Sequence, residues 1–372
     1  MLLVYAIVAI TILNIYEVSM ESVKNTVCSF GNLYKAMYKC KRGVSWKDSV
    51  SRYVNNGLSS ITKLQHSLEN NTYRIDKYYE FVIHEPKTRN IISTKFKDRV
   101  FQRSLCDNYL YHEITKSFIY DNGACQINKG TDFTRNRLKT HLHRYYRKHG
   151  AEGYVLKCDF KNYFGSTRHN IAKQALAKVV KDPWALDCCY DIIDTYNTGD
   201  ATGLGLGSQI TQLVELLVLN DLDHYIKEKL KIKCYVRYMD DLVLIHKDKR
   251  YLKECLTRID RIADGLELSL NTSKTGIFKL SQGINFLGFK YSISGTGRVY
   301  STVLKDNIKK RKRKLRKYSK TYAKGNMTLK QINDGYESWK NHVNKGNSYN
   351  TVRRMDVYYN QLYGRRKRCL EN

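Results

Sequence analysis

Apolar positions recur at helical spacing from about Met20 to Asn71, with Trp46, Val50, Tyr53 and Val54 on one face and Ile61 and Leu64 following. This predicts amphipathic helices that carry no chemistry of their own. From Tyr79 to Ile92 two strand-like runs join through a turn containing Pro86, which predicts a hairpin with Lys87 and Arg89 near its tip. A helix opens at Lys97 and is expected to reach about Lys116. Another, from Asp132 to about His149, is strongly basic. Gly153 to Phe160 reads as a strand that ends in Asp159. Gly203, Gly205 and Gly207 alternate before a helix expected to run to about Lys229. The runs Cys234 to Arg237 and Leu242 to His246 flank Tyr238-Met239-Asp240-Asp241, so a hairpin is predicted with carboxylates at its bend. A helix from Lys249 to about Gly265 follows, then a short hydrophobic hairpin over Gly283 to Phe289.

Beyond that hairpin the pattern changes. Lys305 to Lys320 holds ten basic residues, with Leu315 and Tyr318 among them, and reads as a cationic helix suited to a phosphate backbone. The chain therefore divides into an apolar extension (residues 1–19), a mixed helix and strand region (20–292) and a basic helical region (293–372). Leu2 to Tyr16 is nearly all apolar, yet short for a membrane span and without a positive n-region or small-residue cleavage site. A membrane anchor and an over-extended start upstream of Met20 both account for it. Nothing later reads as transmembrane, so a cytoplasmic protein without a stable membrane partner is expected.

Charge narrows the function. Lys and Arg number 65 against 35 Asp and Glu, a net +30 over 372 residues. An excess of that size points to a polyanion, nucleic acid before membrane, because many phosphates are neutralised with counterion release. Thirty tyrosines interleave with the cations and suit stacking on bases. Ten cysteines form no Cys-x-x-Cys pair and no zinc-ligand spacing, so a reducing compartment without structural disulfides is expected. Asn128-Lys129-Gly130-Thr131 is not a phosphate-binding P-loop, because the first glycine at the required spacing is absent.

Candidate chemistry centres on the carboxylates. Adjacent Asp240 and Asp241 repel each other and are costly to bury unpaired, so a divalent cation is their natural partner. On that stretch alone an ordinary polar turn explains them equally well. Asp159, delivered by a strand, supplies a third acid. Gly203 to Gln212 lets backbone approach a ligand closely, with Gln209 and Gln212 offering amide contacts. Lys274 is either a proton donor to a leaving group or a surface lysine.

The order of these motifs resembles that of reverse transcriptases, over about Tyr79 to Phe289. Asp159-Phe160 looks like the first palm motif, Gly203 to Gln212 the second and Tyr238 to Asp241 the third. Leu270-Asn271 with Lys274-Thr275, and Phe286-Leu287-Gly288, look like the fourth and fifth. The resemblance implies an α+β right-hand polymerase fold with fingers, a palm sheet and a helical thumb. It implies RNA-directed DNA synthesis by two-metal nucleotidyl transfer, with two Mg²⁺ (or Mn²⁺) ions on Asp159, the Phe160 carbonyl, Asp240 and Asp241. Lys87, Arg89, Gln209 and Gln212 would contact the nucleotide, and Phe164 would stand as a gate beneath its sugar. Tyr238, Met239, Gly207, Lys309, Arg311 and Arg313 would contact primer and template. Implied partners are an RNA template, a DNA or RNA primer, deoxynucleoside triphosphates and an accessory protein. Leu206 to Gln212, with Trp339, His342 and Gly346-Asn347, resembles bacterial or phage enzymes of the diversity-generating retroelement and group II intron-like group. Phage-defence enzymes and a maturase-like RNA-binding protein are the alternatives. A template/variable repeat pair in the neighbouring genes would separate the first of these from the rest.

Overall fold

The central sheet has the strand order β4-β5-β3-β6, antiparallel throughout: β3 is Tyr154–Asp159, β4 Cys234–Tyr238, β5 Asp241–His246 and β6 Gly276–Lys279. The structure, a computed structural model, describes residues 23–84, 88–196, 199–205 and 207–367. The expected extension over residues 1–19 and Lys87 lie outside them.

Period-two alternation splits each central strand between two cores. Leu156, Cys158, Tyr235, Leu242 and Leu244 pack against helices on one face, among them Gln209–Val218 and Lys249–Gly265. Val155, Val236, Val243 and Ile245 face the other way, toward helix Thr131–His149 and the C-terminal region. Both faces are covered, which is why β5 is buried at four consecutive positions and reads in sequence as a continuous apolar run. By the same parity Asp159 and Asp241 project on the C-terminal side, whereas Arg237 points into the helical core.

The hairpin of β1 (Tyr79–Ile83) and β2 (Arg89–Ser93) forms as expected, with Ile83 opposite Arg89. Its first strand is exposed throughout. The N-terminal helices are Phe30–Lys41, Asp48–Asn55 and Gly57–Glu69. Val50, Ile61 and Leu64 are buried as the spacing predicts. Trp46 is not: the chain leaves the first helix before Gly43 (φ +75°), and the indole stands 77% exposed between helices. The predicted helix from Lys97 is Phe96–Leu105, continued by a π-turn (Cys106–Leu110) into Tyr111–Thr115. The nine described cysteines are free thiols. Among the described residues no helix is long and apolar enough to cross a membrane.

The hairpin predicted near Gly283 gains a partner that the sequence pattern did not signal. β7 (Ile284–Phe286), β8 (Phe289–Ile293) and β9 (Val299–Val303) form a second antiparallel sheet, which straddles residue 292. Helices Lys305–Ala323, Leu329–Val343 and Tyr349–Lys367 follow. Residues singled out in this tail turn out to clasp it together. The Trp339 indole donates to Asn307 Oδ1 at 3.1 Å, and His342 lies 5.2 Å from the Phe289 ring. Asn347 exchanges two hydrogen bonds with Ser301 of β9, N to O at 2.6 Å and Oδ1 from N at 3.0 Å. A Cβ on Gly346 would stand 2.7 Å from the Phe289 ring, so only glycine allows this approach. Arg311, expected on phosphate, is instead half-buried against Trp339 and donates to the Gly335 carbonyl at 3.2 Å. Lys309 and Arg313 remain exposed on the same helix.

Candidate active site

The third motif folds as a two-residue reversal. Tyr238 pairs with Asp241, so Met239 and Asp240 make the bend and Asp241 is already the first residue of β5. Met239 adopts φ +54°, a left-handed conformation that costs a side-chain-bearing residue about 1–2 kcal/mol.

Asp159 and Asp241 are direct cross-strand partners. Asp159 is held from three sides. Asn271 donates from its amide and its backbone, at 3.3 Å to Oδ1 and 2.7 Å to the carbonyl. Thr275 Oγ1 accepts from the Asp159 N–H at 3.2 Å, and Lys274 Nζ donates to Oδ1 at 2.5 Å. Lys157, two residues earlier on the same face, places Nζ 3.2 Å from Asp241 Oδ1. Burial pushes the Asp241 carboxyl up to about 6; Lys157 opposes this, and the charges of Asp159 and Asp240 add to it.

Among the described residues no three acidic, imidazole or thiol side chains converge tightly enough to hold an ion unaided. Mg²⁺ does not require that, since it binds through one or two carboxylates completed by waters and substrate phosphates. The donors present fit it. They are hard carboxylate oxygens, Asp241 Oδ1 is buried with the Lys157 ammonium 3.2 Å away, and its carboxylate is destabilised by two neighbouring acids.

These acids line a cleft of 890 Å³ shared with Phe160, Phe164, Tyr196, Tyr238, Met239, Asn271 and Lys274. Phe164 is fixed by its flanks: its carbonyl accepts from Leu204 N at 2.7 Å and its ring meets Tyr163 edge-on at 6.1 Å. The glycine run sits close because it must. A Cβ at Gly205 would fall 2.0 Å from the Tyr196 ring.

Gly207, Gln209 and Gln212 do not share that cleft. They line a neighbouring cavity of 420 Å³ with Lys39, Arg42, Arg99 and Arg103. Cys125 links the two spaces, its thiol donating to Gln212 Oε1 at 3.4 Å and lying 3.9 Å from Met239 Sδ. Sequence reading missed Lys157, although strand alternation places it beside Asp159. It also missed two groups beneath the turn, Arg237 and Glu215, which carry no signal except being charged within apolar runs.

Glu215 is fully buried on helix Gln209–Val218. Thr167 Oγ1 donates to its Oε2 at 3.0 Å and Tyr163 OH to its carbonyl at 2.6 Å. Burial, and then the Asp240 charge, push its carboxyl up from the ordinary range and so favour the neutral form. Glu215→Gln is therefore expected to leave thermal stability within about 1 kcal/mol, with nucleotide incorporation unchanged. A buried anion would instead make that substitution strongly perturbing.

A sheet bearing paired carboxylates at one end, flanked by helices and followed by a basic helical region, defines a polymerase of the right-hand class. More narrowly, the chain belongs to the reverse transcriptase (RNA-dependent DNA polymerase) family, whose model matches residues 84–291. Solved structures similar to it include apo telomerase from Candida tropicalis, at 13% identity and TM-score 0.47, covering 60% of this chain and 47% of that one. The same telomerase truncated from its C-terminal domain matches at 14% and 0.45, covering 60% and 54%. Telomerase from Candida albicans, in complex with a TWJ fragment of telomeric RNA, matches at 9% and 0.48, covering 71% and 55%. The chain thus spans about half the length of these structures. No curated protein matches it.

Proposed function

We propose that the chain is an RNA-directed DNA polymerase that makes cDNA by nucleotidyl transfer, in a retroelement of the diversity-generating type. The observation that carries the polymerase reading is the cross-strand pair Asp159 and Asp241 beside the Met239-Asp240 bend, on the sheet face turned toward the basic helices. Asp159, Asp240 and Asp241, with the Phe160 carbonyl, would hold two Mg²⁺ or Mn²⁺ ions. Such ions lower the pKa of the primer 3′-hydroxyl and neutralise the triphosphate. Phe164 excludes a 2′-hydroxyl by bulk. Tyr238 and Met239 border the primer end. Lys274, its side chain 44% exposed, supplies a proton to the leaving pyrophosphate. The cation-lined cavity at Arg99, Arg103 and Gly207 lies one residue layer from the cleft and suits the incoming RNA strand. Lys309 and Arg313 meet the duplex backbone.

The purified chain should extend a DNA or RNA primer annealed to an RNA template with deoxynucleotides and Mg²⁺ or Mn²⁺. Salt-sensitive RNA binding without any incorporation, for both primers and both ions, would assign a maturase-like binding role instead. A template/variable repeat pair beside the gene is the expected mark of the retroelement. Its absence would favour the phage-defence alternative.

A further inference from the structure

Arg237 and Asp223 form an ion pair with neither side chain exposed to solvent. Arg237 Nε and Nη2 donate to the two Asp223 oxygens at 2.7–2.9 Å, and Tyr235 OH donates to Asp223 Oδ1 at 2.5 Å. Nη2 also donates to the Leu216 carbonyl at 2.9 Å. Nη1 donates to the carbonyl of Met239, also at 2.9 Å. The backbone of Arg237 is fixed as well. Its N–H donates to the Asp121 carbonyl and its carbonyl accepts from Gly123 N, both at 3.1 Å. Asp121 is itself anchored by Arg137 and Lys227 at 2.6 and 2.8 Å.

A pair buried this completely is weak evidence for stability, since well-packed apolar residues of similar volume serve at least as well. What apolar residues cannot supply is a charged donor on the carbonyl of Met239, the one residue of the bend in the left-handed region. That carbonyl precedes Asp240 directly, so its direction sets where Asp240 and Asp241 project. Resting on the polymerase reading above, we propose that Arg237, oriented by Asp223, is a positioning residue that holds the bend in its strained conformation. The guanidinium reaches the bend from the helical core, on the opposite side of the sheet from Asp159.

Two variants test this in the full chain. Arg237→Lys keeps the charge but not the fork, because one ammonium does not span both Asp223 and the Met239 carbonyl. Arg237→Met with Asp223→Leu removes the pair and keeps its volume. Each is compared with wild type for thermal unfolding, affinity for an annealed RNA–primer duplex, kcat for single-nucleotide incorporation, and the Mg²⁺ concentration for half-maximal rate. The expected result is a kcat lower by about 100-fold and a half-saturating Mg²⁺ raised several-fold, with duplex affinity unchanged. Adding Met239→Gly, which removes the left-handed strain, should recover about tenfold of the loss.

A folded variant with wild-type kcat overturns the proposal. So does a kcat loss that leaves the Mg²⁺ dependence unmoved and is not relieved by glycine at 239, since a merely structural pair would behave that way. If the double variant fails to fold, Arg237→Lys carries the comparison. If neither folds, the pair is structural and the proposal falls. Wild-type protein that incorporates nothing removes the functional reading, and this inference with it. Wild-type activity that survives in the variants removes only the inference.

Discussion

Asp240→Asn combined with Asp241→Asn is expected to abolish templated incorporation, by at least about 1,000-fold or roughly 4 kcal/mol in the barrier. The same variant is expected to unfold at a temperature equal to or above wild type. The sign follows from the shift at Asp241, whose carboxyl stands at about 6 in the folded chain against an ordinary 3.8. Between those values the folded protein keeps a proton that the unfolded chain has released. Stability therefore falls as pH rises through that window, and a cost of about 3 kcal/mol is complete above it. Asparagine carries no charge and escapes that cost. Thermal melts from pH 4 to 8, run beside primer extension, would show a dead variant with a flatter pH profile. Retained extension would refute the catalytic assignment; a large loss of stability would mean that the acids serve the fold.

Phe164→Val is expected to relax sugar selection, so that discrimination against ribonucleotides falls by about 10–200-fold, the range a single steric contact supports. Deoxynucleotide incorporation should change far less, because the ring bounds the cleft without bearing charge. Parallel kcat/KM values for one deoxynucleotide and its ribonucleotide give the ratio directly. The Leu204 N–H on its carbonyl fixes the backbone from which the ring projects, and Tyr163 meets the ring at its edge. Unchanged discrimination in an active variant would return Phe164 to the role of a packing residue.

The elements around the carboxylates were legible because each obeys a local rule. β4 and β5 are apolar runs around a polar bend, and β3 is a strand that ends on Asp159. Helix Thr131–His149 was placed within one residue at its start. β9 was not legible: Val299 to Val303 gains its strand conformation from pairing with β8, and its outer edge from Asn347, 46 residues away from Ser301. Trp46 was misplaced because helical spacing alone does not show where Gly43 ends a helix. Arg311 sits inside a run of cations and only packing against Trp339 distinguishes it from its neighbours. Gln209 and Gln212 follow the glycines in sequence, yet the helix they begin turns them into the second cavity. Arg237 and Asp223 are 14 residues apart, and nothing in either segment announces the pair.

Because successive residues of β3, β4 and β5 report to separate cores, the two sides of the sheet can diversify on separate schedules. A change at Val243 is felt by the C-terminal region and one at Leu244 by the helical side. Lineages are then free to exchange or remodel the basic helices while leaving the helical side intact. The bend is answerable to both sides, since Arg237 holds the Met239 carbonyl from the helical side while Asp159 and Asp241 project on the other, so drift there should be slow.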